Sequence, residues 1–184
     1  MMKKLLFLSI LILLGTQVFA QKYMTRSGHI WFFSHTPLED IEAHNYQANS
    51  ALDVISGDMV FSILIKGFEF QKALMQEHFN EKYMESDKYP KASFTGKVTN
   101  ISSVNTKKNG VYPVTVKGKM TIHGVTKDVE TKGTLEVKDG KILGKAKFPI
   151  TVKDYNITIP AVVKDNIAEV IDVTVDVAYE EVKK

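Results

Sequence analysis

A two-residue hydrophobic period recurs along most of the chain, and it constrains the fold more than any other feature. In segment 171–180, every second residue from Ile171 to Tyr179 is apolar, and most residues between them are polar. This alternation is typical of a β-strand that turns one face to a core and the other to solvent. Since an amphipathic helix would repeat about every 3.6 residues instead, the chain is predicted to be all-β.

The same pattern predicts eight strands: 25–34, 43–54, 58–66, 92–101, 114–122, 128–138, 141–152 and 171–180. Short turns separate most of them, and the Asp139-Gly140 dipeptide favours a type I′ hairpin turn. Strands joined by such short turns pair antiparallel. An antiparallel set of about eight strands either stacks as two sheets or closes into a barrel, and the pattern alone leaves both open.

One segment breaks the strand pattern. Residues 70–84 carry good helix formers, with Met75, Phe79 and Tyr83 spaced four apart, and they are predicted to form one amphipathic helix. The helix is expected to end before Pro90, because the residue that precedes a proline favours extended backbone. The connection 154–166 is long and apolar, which is typical of a lid or a binding loop.

Four successive strands place a glycine on their apolar face: Gly96, Gly118, Gly133 and Gly144. Glycines let strands coil sharply, which helps a sheet to close into a barrel. They also leave interior volume, and a barrel of about eight strands has room for at most one small ligand. Both interpretations are compatible. Under the second, enlarging Gly118 or Gly133 is expected to block the cavity and leave the protein folded.

Residues 1–20 have the pattern of a cleavable export signal. Lys3 and Lys4 precede an apolar run at 5–14, and Val18-Phe19-Ala20 fits a cleavage site. The run is shorter than the roughly 20 apolar residues that a bilayer-spanning helix needs. We therefore predict that residues 1–20 are removed and that residues 21–184 form one exported domain.

The composition argues against several classes of function. The chain has no cysteine, so disulfides, thiolate metal sites and cysteine nucleophiles are excluded. Its 24 basic residues nearly balance 21 acidic ones, which gives no electrostatic basis for binding nucleic acid. The five histidines lack metal-site spacing, and no Gly-x-Ser-x-Gly motif occurs. We predict no catalytic residues, no metal and no cofactor, and expect His123 to hydrogen-bond backbone in its turn.

Three blocks in chain order resemble the YceI-like family. The first, 78–96, contains the Tyr89-Pro90 pair followed by Phe94 and Gly96; the second, 116–127, contains His123-Gly124. The third runs from Phe148-Pro149-Ile150 to Pro160 and is followed by a closing strand that ends at Tyr179. The resemblance covers about two thirds of the chain after residue 20.

The resemblance implies an extended antiparallel eight-stranded lipocalin-like β-barrel with one short helix in a connection. It also implies a periplasmic location and a long isoprenoid chain, polyprenyl or quinone-like, in an apolar tunnel. The partner is then an amphiphilic isoprenoid or another lipid, with at most transient membrane contact. Whether two copies form a homodimer stays open. Two other classes remain: an enzyme that acts on a bound lipid through histidines, and a filled barrel that acts through its surface.

Alternation, together with the apolar face of the helix, assigns the residues that are predicted to line the tunnel. They are Phe61, Ile63, Ile65, Leu74, Met75, Phe79, Phe94, Val98, Val114, Val116, Met120, Leu135, Phe148, Ile150, Val173, Val175 and Val177.

Overall fold

The alternating segments form nine antiparallel strands in a computed structural model that describes residues 21–182. The strands are β1 (Lys22–His35), β2 (Asp40–Asp53), β3 (Asp58–Leu64), β4 (Glu69–Phe70), β5 (Lys91–Val98), β6 (Gly110–Ile122), β7 (Val125–Lys138), β8 (Lys141–Thr151) and β9 (Val170–Glu181). The export signal predicted at residues 1–20 lies outside the described residues.

The eight long strands close into a barrel. Their order is β1-β9-β8-β7-β6-β5-β3-β2, and β1 also pairs with β2, which joins the two ends of the sheet. The two-residue β4 adds to β2 beside Ala43 and His44. The predicted all-β barrel of eight antiparallel strands is thereby confirmed.

Two hairpins have the tight turns that the sequence indicates. Asp139 and Gly140 both have positive φ, 51° and 80°, as a type I′ turn between β7 and β8 requires. His123 and Gly124 join β6 to β7 in the same way, with φ of 50° and 73°.

The helix is shorter than predicted. It runs from Ala73 to His78 (α1) and continues as a π-helical turn over Phe79–Tyr83. It begins later than residue 70 because Phe70 pairs with Ala43 as part of β4. None of the helices within residues 21–182 is long and apolar enough to cross a membrane.

The barrel has one filled half and one hollow half. The filled half lies at the end that carries the β2–β3 and β7–β8 turns, and a continuous apolar core packs it. Its fully or almost fully buried members include Tyr23, Leu52, Val98, Val137, Ile142 and Tyr179. The hollow half lies at the other end, where α1, the β6–β7 turn and the connection between β8 and β9 are found.

Candidate ligand-binding cavity

The hollow half contains a cavity of about 520 Å³ with largely apolar walls. The strands position these walls because their inward residues alternate with outward polar ones. A volume of this size lies within the range of roughly 300–1,000 Å³ that is typical of small-molecule sites. The aromatic wall residues are Phe32, Phe61, Phe94 and Phe148.

The floor of the cavity is the top of the filled half. Met59, Leu135 and Tyr179 belong to the buried core and also border the cavity. The Tyr179 hydroxyl lies 2.7 Å from Ser50 Oγ, and Ser50 donates to the Val60 carbonyl at 2.8 Å. Burial raises the pKa of Tyr179 well above its ordinary value, which keeps the phenol neutral.

Aromatic rings cover the end of the cavity. Phe79, at the start of the π-helical turn, packs against Phe32, Phe68 and Phe70 with ring centroids 5.6, 5.6 and 5.0 Å away. Tyr155, in the connection between β8 and β9, also borders the cavity. Three separate connections therefore meet over the hollow half.

His123, in the β6–β7 turn, contacts both the segment before β5 and the connection between β8 and β9. Its Nδ1 lies 3.1 Å from the Tyr155 carbonyl oxygen and its Nε2 lies 2.8 Å from a Glu85 carboxylate oxygen. Tyr89 packs edge-on against the ring at 4.6 Å. His123 does contact a backbone carbonyl, but that carbonyl belongs to the connection between β8 and β9 and not, as predicted, to its own turn.

No histidine of the described residues lines the cavity. His29 and His44 lie on the outside of the barrel, where His29 Nε2 is 2.9 Å from His44 Nδ1. The His29 ring stacks between Trp31 and Tyr46, at 4.4 and 4.3 Å. Burial, and secondarily the charge of His44, lower the pKa of His29. Within residues 21–182 no group of three or more side chains is arranged to hold a metal ion.

The structure brings together all the predicted lining residues except Leu74, Met75 and Val98. Leu74 is 61% exposed, and Met75 is half-buried outside the cavity lining, because no residue of α1 borders the cavity, which this segment first reaches at Phe79 of the π-helical turn. Val98 faces inward as predicted but is fully buried in the filled half. Alternation gives the face of a residue and says nothing about its height along the barrel axis.

Several lining residues escaped the sequence analysis. Ile30 and Phe32 of β1 line the cavity, but the outward neighbours Trp31 and Phe33 are also apolar, which hides the alternation there. Other missed residues lie in connections that have no hydrophobic period, and they include Phe68, Met84, Val152, Tyr155 and Ile157. Further missed residues lie in strands, among them Met59, Ala146 and Ile171.

The inward glycines are sites of close backbone approach. A Cβ on Gly118 would lie 2.5 Å from the Gly96 Cα and 2.5 Å from the Thr95 carbonyl oxygen. A Cβ on Gly133 would lie 2.5 Å from the Lys145 carbonyl oxygen. The expectation that either glycine can be enlarged without harm to the fold is therefore wrong, because neighbouring backbone fills that space.

The family model for the YceI-like domain matches residues 24–179, which is most of the chain. The chain belongs to the YceI-like family. The curated proteins contain no match to it. Solved structures share the fold of this YceI-like protein at low sequence identity.

A polyisoprenoid-binding domain from Saccharophagus degradans, implicated in plant cell wall breakdown, is 14% identical with a TM-score of 0.78. That match covers 89% of this chain and 99% of the other. BcnA of Burkholderia cenocepacia is 14% identical with a TM-score of 0.68, over 82% of this chain and 95% of the other. The Campylobacter jejuni YCEI protein is 18% identical with a TM-score of 0.56, over 82% and 90%.

Proposed function

We propose that this YceI-like protein binds a long isoprenoid, polyprenyl or quinone-like, in its barrel and carries it through the periplasm without chemical change. The observation that carries the proposal is the apolar cavity of about 520 Å³, with its floor of buried side chains and its cover of aromatic rings. The S. degradans relative, described as a polyisoprenoid-binding domain, supports the choice of ligand class.

The affinity in this proposal comes from burial of apolar surface. Each CH₂ removed from water contributes about 0.8 kcal/mol, so a longer buried chain binds more tightly. The walls offer few charged groups to the interior, which favours a hydrocarbon chain over a polar ligand. Exchange of such a cargo with a bilayer requires only transient membrane contact, and the periplasmic location rests on the predicted export signal.

The position of the histidines does not support an enzyme that acts on a bound lipid. His123 contacts Glu85, but its ring is engaged in the cover and does not border the cavity. His29 and His44 lie on the outer surface of β1 and β2. A filled barrel that acts only through its surface is also unsupported, because the hollow half has room for a ligand.

The test is solvent extraction of natively purified protein, exported in its own type of host, followed by mass spectrometry. We expect a polyprenyl or quinone species in near-stoichiometric amount. Ala146→Phe projects a ring into the cavity from a lining position and is expected to lower occupancy at least about tenfold. Ala178→Phe, on the exposed face of β9, is the matched control with unchanged occupancy. A clean blank after incubation with host lipid extract would contradict the proposal.

A further inference from the structure

The barrel wall has a gap between β7 and β8. β7 pairs with β6 from Val125 to Val137, and β8 pairs with β9 from Ile142 to Thr151. β7 and β8, however, pair with each other only from Lys138 and Lys141 to Gly133 and Ala146. Beyond that point, residues 125–132 of β7 and 147–151 of β8 have no partner strand on their facing edges. We call this gap the β7–β8 slot.

The cavity extends into the β7–β8 slot. A wall strand contributes every second residue to a barrel interior, and β9 does so with Ile171, Val173 and Val175. β7 instead contributes the consecutive residues 127–131, and β8 the consecutive residues 148–151. The facing edges of these two stretches are unpaired, so residues from both faces of each strand border the same open space. The interior is therefore continuous with the slot.

The outer side of the wall is also open near the β7–β8 slot. A shallow groove of about 370 Å³ crosses the outside of the barrel and is lined by Trp31, Lys132, Lys147 and Thr174. Gly133 and Ala146, the last paired residues of β7 and β8, border both this groove and the internal cavity. The groove and the cavity therefore adjoin where the slot begins.

The edges of the β7–β8 slot are built to stay apart. Glu130 pairs with Lys117 and Asp128 with Lys119, each at 2.9 Å, so both carboxylates are held towards β6. On the other edge Pro149 has no N–H to donate to a neighbouring strand. Charged residues and proline are the usual means of keeping a free strand edge from pairing.

A second interruption in the barrel is closed. β2 and β3 pair only between Asn49–Ser62 and Leu52–Met59. Beyond that stretch β4 adds to β2, and the buried Asn45 side chain donates to the Leu64 carbonyl at 2.9 Å. The end of the barrel is closed by the aromatic cover and the contacts of His123. The β7–β8 slot therefore offers an apolar chain a route that breaks no strand pairing.

We propose that the β7–β8 slot is the portal through which an apolar chain enters and leaves the cavity sideways. The inference rests on the proposed function, because it assumes that the cavity takes up such a chain. The aromatic cover then stays in place while ligand exchanges.

The test links the two edges of the β7–β8 slot covalently. The chain has no cysteine, so an introduced pair reacts uniquely. Continuing the β7–β8 register places Glu130 opposite Pro149, and Glu130→Cys with Pro149→Cys can be joined by a short bismaleimide. Lys138→Cys with Lys141→Cys is the matched control in the paired part of the same strands. Lys66→Cys with Asp87→Cys links two segments of the cover instead, at an existing ion pair.

The probe is geranylgeraniol that carries a fluorescent anthraniloyl ester, and its uptake and release are followed by stopped flow. Linking the slot is expected to slow both rates by at least about tenfold, with the equilibrium affinity nearly unchanged because the cavity is the same. Linking the control pair or the cover is expected to leave both rates at their unlinked values.

Two results would overturn the inference: one also contradicts the proposed function, and the other contradicts the portal alone. If the unlinked proteins take up no probe, the proposed function is contradicted, and the portal with it. If they bind the probe and the slot-linked protein exchanges it at the unlinked rate, the portal alone is contradicted. Slow exchange in the cover-linked protein would then place the entrance at the end of the barrel.

Discussion

The two halves of the barrel are built from the same strands but differ in what supports their walls. In the filled half, side chains such as Val98 and Ile142 meet in the middle and are fully buried. In the hollow half, residues such as Ile171 and Val173 face a cavity and stay only half-buried. The filled half can therefore carry most of the stability, while the hollow half keeps apolar surface available for a ligand.

The prediction with the largest expected effect compares the loss of stability caused by one isoleucine-to-alanine substitution in each half. Ile142→Ala removes a fully buried side chain from the filled half and is expected to lower the free energy of unfolding by about 2–5 kcal/mol. Ile171→Ala makes the same change on the cavity wall, where the side chain is half-buried, and is expected to cost about 1 kcal/mol.

Urea unfolding of the lipid-free proteins measures both changes. Equal losses from the two isoleucines would show that the hollow half is packed as tightly as the filled half in solution. With ligand bound, Ile171→Ala is expected to lower the free energy of unfolding by more than it does in the lipid-free protein, because the side chain then packs against the ligand.

The sequence predicts which residues face the inside of the barrel, but it does not predict which half of the barrel each of them belongs to. Alternation placed Val98 and Val116 correctly on the inner face, and the two residues are direct neighbours across β5 and β6. Yet Val98 belongs to the filled half and Val116 lines the cavity. Their heights depend on the tilt and register of the strands, which a two-residue period does not encode.

The cover and the β7–β8 slot were beyond sequence reasoning for a related reason. Met84 and Tyr155 lie in connections without a hydrophobic period, and their places depend on contacts such as that between His123 and Glu85. β7 and β8 alternate regularly through the point where they separate. The opening shows only in the strand pairing, because β7 and β8 stop pairing with each other while each stays paired with its other neighbour.

A second prediction concerns how the hollow half keeps its walls without a packed centre. Gly96 and Gly118 face each other across β5 and β6, and the Phe94 ring lies over both. Gly118→Ala forces a Cβ against backbone and is expected to cost about 1–3 kcal/mol. Gly110→Ala, at the start of the same strand, meets nothing closer than 3.5 Å and is expected to be neutral or slightly stabilising.

Thermal unfolding of the two alanine variants checks this contrast. A Gly118→Ala protein as stable as the parent would mean that the strands can separate locally without loss. The wall of the hollow half would then depend less on close backbone approach than the structure indicates.

The smallest expected effect lies at the boundary between the halves, where Tyr179 forms part of the cavity floor. Tyr179→Phe removes the hydrogen bond to Ser50 and is expected to cost about 1 kcal/mol at pH 7. Burial raises the pKa of Tyr179 in the folded protein above the value of about 10 that an unfolded tyrosine has. Above pH 10 the unfolded state therefore loses a proton that the folded state keeps, and stability falls as pH rises.

Because of this linkage, the stability difference between Tyr179→Phe and the parent is expected to depend on pH, which a general loss of packing would not cause. The phenylalanine variant lacks the ionisable group, so its stability should fall less steeply above pH 10 than that of the parent. Between pH 10 and pH 11 the parent should lose about 1 kcal/mol more than the variant, which removes its advantage in stability. A difference that stays constant from pH 7 to pH 11 would mean that water reaches the phenol through the cavity. The floor of the hollow half would then not seal the filled half from solvent.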